Sequence, residues 1–186
     1  MSLEIVVGPM FSGKSTYALS YIRRQVAIKK NVVVVKPNID IRYSAENVLI
    51  THNQETTPCI MWDTNDDLYP SQEMRNADVI VFEEAQFFKG LQPLIVYMLR
   101  SMYKNILVVG LDGDAKQNVF GDILKLIPHA NKVTKLCALC SRCGDGTEAP
   151  YTIKLNSQLL QQVDVGGIDK YEAVCLKHLI TNNVNV

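Results

Sequence analysis

Neither sign of charge prevails in this chain: Lys plus Arg and Asp plus Glu stand at 19 each. The balance leaves no broad basic field, which argues against a nucleic-acid polymer as principal partner. No apolar run approaches the ~20 residues that cross a bilayer, so no membrane association is expected. The N-terminus shows no charged-then-apolar leader, and a glycine loop starting at residue 8 leaves no room for a cleaved signal. A cytoplasmic chain is the expectation. Cysteine is sparse, with five in 186 residues, and in a reducing compartment such thiols point to metal or core positions before disulfides. What remains is an ordinary globular composition, 47% hydrophobic and 20% charged, at a length that suits one domain plus a small appendage.

Against that plain background one stretch stands out. Gly8, Pro9, Met10, Phe11, Ser12, Gly13, Lys14 and Ser15 match G-x-x-x-x-G-K-[ST], the phosphate-binding loop. An apolar run, Leu3 to Val7, reads as the strand before it. Tyr17, Leu19, Ile22, Val26 and Ala27 recur at roughly helical spacing after it. Strand, loop and helix together place backbone N–H groups at a helix N-terminus, where anionic phosphate is attracted. Lys14 is expected to reach the outer phosphates of ATP, and the Ser15 hydroxyl to hold Mg²⁺.

Val32 to Val35 reads as a second buried strand, completing a βαβ unit. Residues 40–52 read as a polar, irregular loop on the ligand-binding edge of an open α/β sheet, which makes Arg42 a candidate phosphate contact. Pro58 to Trp62, Val79 to Phe82, Ile106 to Leu111 and Val133 to Leu136 read as further strands, and Leu91 to Tyr103 as a helix. Residues 63–76, broken by Pro70, read as a weak helix flanked by loop. Phe120 to Ile127 reads as a short helix or turn. The strand at Val79 ends in Glu83 and Glu84. A carboxylate delivered there lies beside the loop where Mg²⁺ sits, and two adjacent acids offer two roles, metal shell and general base. Phe87 follows and is a candidate wall for a planar ring.

The cysteines form a second signal. Cys140-x-x-Cys143 and Cys175-x-x-His178 each have zinc-ligand spacing, and together they close a tetrahedral Cys₃His set with no open position. Such a zinc is structural. Cys137 is a rival ligand, but Gly144 after Cys143 favours the Cys140–Cys143 pair. Tyr151 to Leu155 and Gln161 to Val165 read as hairpin-like runs between the knuckles. The expected organisation is a nucleotide-binding domain over residues 1–136 and a zinc lobe over 137–186, too small to bury much core, so that a metal staple is physically reasonable. The expected fold class is α/β, a P-loop, RecA-like parallel sheet flanked by helices, with a small zinc-binding lobe.

These motifs together resemble the type II thymidine kinases. The resemblance rests on GPMFSGKS at 8–15, DIRY at 40–43, TH at 51–52, EEAQFF at 83–88, LDG at 111–113 and FGDILKLIP at 120–128. It continues through TKL at 134–136, CALC ending at 140, APYT at 149–152, VGGIDKY at 165–171 and AVCLKH at 173–178. It implies transfer of the γ-phosphate of ATP to the 5′-hydroxyl of thymidine, a deoxynucleoside salvage reaction, with Glu84 as the base. It implies that Glu83 serves Mg²⁺ and that Arg42 lies near the phosphates. Met10, Phe87, Leu111 and Phe120 fall at pocket-lining positions. A loop of the zinc lobe covering the base falls on Thr152 and on Gln162, Val163, Asp164, Val165 and Gly166, with Tyr171 nearby. Feedback inhibition by thymidine triphosphate (dTTP) and a homotetramer are further implications.

Several positions depart from the family pattern. Glu83 stands where aspartate is usual, Ala115 where a phenylalanine packs on the base, Lys154 where arginine is usual, and His178 where cysteine is more common. The first two keep open a catalytically weakened or substrate-shifted nucleoside kinase, or an ATP-binding regulatory module. A nucleic-acid-stimulated ATPase is the remaining competitor, and the neutral charge argues against it.

Overall fold

The computed structural model describes residues 1–38, 48–50, 56–155 and 168–183. Seven strands make the main sheet: β1 (Ser2–Val7), β2 (Val32–Pro37), β3 (Val48–Ile50), β4 (Thr56–Trp62), β5 (Val79–Phe82), β6 (Asn105–Gly110) and β7 (Lys132–Lys135). Their spatial order is β3-β4-β2-β5-β6-β1-β7. All neighbours are parallel except β3, which runs antiparallel to β4.

The continuous apolar runs of the central strands follow from burial on both faces. Leu3, Ile5 and Val7 of β1 join Ile80 and Phe82 of β5 and Ile106 and Val108 of β6 in one core. The residues between them, Val6, Val79, Val81, Leu107 and Val109, enter the other. Helix α1 (Lys14–Ala27) covers the second face with Ala18, Tyr21 and Ile22. Helix α3 (Leu91–Met102) and a 3₁₀ turn over Ile123–His129 cover the first with Leu91, Ile95, Met98, Ile123 and Leu126. Helix α2 (Gln72–Asn76) is a short piece, N-capped by the Ser71 side chain, which accepts from the Met74 N–H at 3.4 Å.

This is the expected α/β class with its mostly parallel sheet. Register brings the functional edge together. Val7 lies opposite Gly110, Phe82 opposite Val108, and Val35 opposite Phe82. The loops after β1, β5 and β6 therefore leave from one side of the sheet, where open α/β folds bind ligands.

The remaining elements form a lobe. Strands β8 (Ala138–Leu139) and β9 (Glu148–Ala149) pair as one small hairpin. Strand β10 (Tyr151–Lys154) pairs antiparallel with β11 (Tyr171–Val174), and helix α4 (Leu176–Asn183) follows.

Three expectations need adjustment. The stretch 40–52, read as wholly irregular, contains β3, whose Val-Leu-Ile run extends the sheet edge. Strand β10 pairs with β11, a strand not expected at Tyr171 to Val174; the run at Gln161 to Val165 lies outside the described residues. The 3₁₀ turn extends through Pro128, since a ring at that position costs little in a short 3₁₀ segment. Among the described residues, no helix is long and apolar enough to cross a membrane.

Candidate active site and metal cluster

The glycine loop sits between β1 and α1. A Cβ at Gly8 would lie 2.4 Å from the Leu136 carbonyl oxygen, so only glycine lets the loop pass the end of β7. Gly13, in the left-handed region at φ 81°, is the N-cap of α1 and brings no capping side chain. The first N–H groups of α1 therefore face the loop, an arrangement suited to an anion. The loop is braced from within. Ser12 Oγ donates to the Pro9 carbonyl at 2.8 Å, and Lys14 Nζ to the same oxygen at 2.6 Å. Lys14 is buried, whereas Phe11 and Ser15 are exposed. The Met10 N–H is taken by Thr152 Oγ1 at 2.9 Å. Met10 thus links the loop to the lobe through its backbone.

At the end of β5 the two acids part. Glu83 is buried and pairs with Lys36 on β2, Nζ to Oε2 at 2.9 Å. Sequence reasoning missed Lys36; its place at the end of an otherwise apolar β2, next to the acid-bearing strand, was the available signal. Glu84 is half-buried, with its backbone left-handed at φ 49°. That conformation turns the chain sharply into a 3₁₀ turn over Ala85–Phe87. Its carboxylate accepts from Gln86 Nε2 at 2.7 Å. A hydroxyl and a carboxylate, Ser15 and Glu83, are the hard oxygen donors that suit Mg²⁺.

The third side is the segment after β6. Phe120 is buried and meets Phe87 edge to face, with ring centroids 5.4 Å apart. Leu111 donates its N–H to Gln86 Oε1 at 2.9 Å. Between them Asp114 ties a tight loop by accepting from the N–H groups of Lys116 and Asn118 at 2.8 and 2.9 Å. Ala115 lies in this loop, half-buried. Its carbonyl accepts from the Gln117 side chain at 2.9 Å, and the same amide reaches the Thr152 carbonyl at 3.4 Å. Thr152 therefore meets both the P-loop and the Ala115 loop. Tyr171 sits on β11 opposite Lys154. Arg42, Gln162, Val163, Asp164, Val165 and Gly166 lie outside the described residues.

In the lobe, Cys140, Cys143, Cys175 and His178 bring their ligand atoms within 4.8 Å of one another. Sulfur at ~2.3 Å and nitrogen at ~2.0–2.1 Å from one tetrahedral ion stand about 3.8 Å (sulfur–sulfur) and about 3.5 Å (sulfur–nitrogen) apart. Cys143 and Cys175 are 3.8 Å apart, and His178 Nδ1 lies 3.4–3.5 Å from all three sulfurs. The set fits structural zinc. Cys137 is exposed and outside this group. Burial pushes the Cys140 thiol up. N–H groups of Cys175, Cys143 and Arg142 and the His178 imidazole outweigh it and bring the thiol down to about 6. Burial and the neighbouring Cys140 and Cys175 sulfurs push Cys143 up to about 11. A bound cation would favour the thiolate form of both.

Similarity to known proteins extends over nearly the whole chain. A family model described as thymidine kinase matches residues 1–179. The chain is 36% identical to thymidine kinase a of Arabidopsis thaliana over 188 residues, covering 98% of this chain and 76% of that protein. It is 36% identical to the cytosolic thymidine kinase of Homo sapiens over 177 residues, covering 93% and 70%. The thymidine kinase of Choristoneura fumiferana entomopoxvirus is 35% identical over 185 residues, covering 94% of each.

Proposed function

The chain belongs to the thymidine kinase family, and on that premise we propose how its residues divide the transfer of the γ-phosphate of ATP to the 5′-hydroxyl of thymidine. The observation that carries the proposal is the meeting of three segments at one sheet edge. These are a phosphate loop ending in a buried lysine, a carboxylate on a sharp turn, and an aromatic pair beside it.

The loop N–H groups and the start of α1 hold the phosphates of ATP, and Lys14 neutralises the outer ones. Glu84 accepts the proton of the 5′-hydroxyl as its oxygen bonds to the γ-phosphorus and the bond to the ADP oxygen breaks. Ser15 and Glu83 would hold Mg²⁺. When bound, that ion neutralises charge developing on the phosphates. Glu83 carries one more methylene than the usual aspartate and is tied to Lys36, which favours a water-bridged contact over a direct one. Arg42 acts near the phosphates.

Phe87, Phe120, Leu111 and Met10 line the acceptor side. Residues 162–166 with Thr152 and Tyr171 cover the base, and Ala115 leaves space where an aromatic would pack. The phosphate work falls to residues 1–136, and the cover to the zinc lobe, 137–186. Cytoplasmic location, expected from the sequence, completes the reading together with a homotetramer and feedback inhibition by dTTP, both of which the family resemblance supports. An unchanged initial rate with added dTTP would remove the last.

The test is a nucleoside panel with ATP and Mg²⁺. Thymidine phosphorylation is expected. Transfer to another deoxynucleoside in preference would instead establish the substrate-shifted reading that Ala115 motivates. Tight ATP binding with no turnover on any nucleoside would sink the kinase reading in favour of a regulatory module.

A further inference from the structure

Strand β7 is the outer edge of the main sheet and pairs there with β1. It is four residues long and mostly exposed. A short strand held on one side frays most readily at its end. Yet the end of β7 is where it meets the phosphate loop. The Leu136 N–H donates to the Val7 carbonyl at 2.8 Å. The Leu136 carbonyl is the group that a Cβ on Gly8 would strike. Residues 135 and 136 thus wall the first turn of the loop.

An ion pair closes this wall. Lys135 Nζ lies 2.8 Å from Asp112 Oδ2, with the aspartate side chain 18% exposed and the lysine 52%. The register shows what the pair spans. Val7 lies opposite Lys135 on one side and opposite Gly110 on the other. Asp112 is two residues beyond Gly110, so the lysine reaches across the end of β1, where the chain turns into Gly8 and Pro9. The Asp112 carboxylate holds the Lys135 ammonium above 10.5, which keeps it charged at neutral pH. Among the described residues, neither side chain makes another hydrogen bond or ion pair.

We propose that Lys135 and Asp112 are a positioning pair: their contact straps the end of β7 to the segment after β6 and holds the phosphate loop in the shape that receives ATP. The proposal rests on the loop being the ATP site. Neither side chain touches the nucleotide. A loop left loose must be ordered when ATP binds, so the loss falls on ATP affinity and not on the chemical step.

The test is a double-mutant cycle in the full chain: Lys135→Met, Asp112→Leu, the two combined, and Lys135→Arg. Met and Leu keep apolar bulk and bring no new charge. Where Asp112→Leu fails to fold, Asp112→Asn takes its place. Calorimetry with ATP and Mg²⁺ gives the affinity, and turnover at saturating ATP and thymidine gives kcat. Each single loss is expected to weaken ATP binding by about three- to ten-fold, the scale of one partly exposed ion pair, with kcat within about two-fold of wild type. The combined variant should bind no more weakly than the weaker single one, and Lys135→Arg should restore wild-type affinity. Two charges acting separately on the phosphates would give independent effects that sum, with Asp112→Leu tightening ATP binding. That result overturns the proposal. A matching loss in kcat overturns it as well, and so does a lowered Tm with ATP affinity unchanged, which marks a merely structural contact. A wild-type chain that binds no ATP removes the loop assignment and the strap with it. Wild type and variants that bind ATP equally remove the strap alone.

Discussion

The sheet face under α3 buries Leu3, Ile5, Phe82, Ile95, Met98 and Ile106 completely. Among the described residues, the lobe from Ala138 to Leu179 has a much thinner core: three alanines, two cysteines, Ile153, Val174 and Leu179. The first region is held by large apolar side chains packed on both faces of parallel strands. The second has a few small ones gathered round four ligand atoms. Hydrophobic burial is spread over many contacts and fails gradually, whereas a metal cluster fails when one ligand is lost. The two meet at Thr152, whose hydroxyl accepts from the P-loop and whose carbonyl accepts from the loop of Ala115.

We predict the largest effect on the lobe side. Cys175→Ser should lower thymidine turnover by at least ~100-fold through lost positioning. Amide exchange should speed up across 138–155 and 171–179 while β1, β5 and β6 stay protected. Uniform exchange across both regions would mean that the lobe does not fail on its own. On the sheet side, Phe82→Ala should cost about 3–5 kcal/mol of stability in denaturant titration, with the zinc content of the folded fraction unchanged. A loss under 1 kcal/mol would contradict the packing account.

The junction should give a smaller effect. Thr152→Val keeps the shape but removes the acceptor of the Met10 N–H, at a cost of ~1–3 kcal/mol if the donor finds no substitute. About a ten-fold drop in kcat/KM for ATP is expected, and unchanged kinetics would show that the contact does not couple the regions.

The smallest effect belongs to the outer edge, where Lys132 on β7 bonds Glu4 at 2.7 Å and Tyr17 at 2.7 Å. Burial raises Glu4, but the Lys132 ammonium and the Tyr17 hydroxyl outweigh it and hold the carboxyl below 4.5. Lys132 is held above 10.5, first by Glu4 and then by Tyr17. A lowered acid stabilises above its unfolded value and loses that contribution as pH falls through its folded one. A raised base does so below its unfolded value and loses it as pH rises. Lys132→Met should therefore lower Tm slightly between about pH 5 and 10, with the gap closing below about pH 4. A gap independent of pH would remove the pairing from the account.

The same contrast explains what could be read from the sequence. The strands were legible because burial on both faces writes continuous runs such as Val32 to Val35. The phosphate loop and the zinc ligands were legible because their chemistry demands fixed spacings. Lys36, Gln86 and Gln117 were not. Each acts through a partner distant in the chain or across a turn, and a lone polar residue carries no periodicity. β3, β8 and β9 escaped because strands of two or three residues show no alternation. β11 was missed because Tyr171 to Val174 lies against the second knuckle and reads as part of it.

The central claim is that the carboxylate on the turn after β5 does the chemistry, while the loop after β1 only holds the donor. Glu84→Gln keeps the size and hydrogen-bonding reach of the side chain and removes its basicity. Thymidine phosphorylation and ATP affinity measured on that variant test the claim most directly. The account predicts turnover reduced by about 10²–10⁴-fold with ATP binding unchanged. Turnover within two-fold of wild type would contradict it.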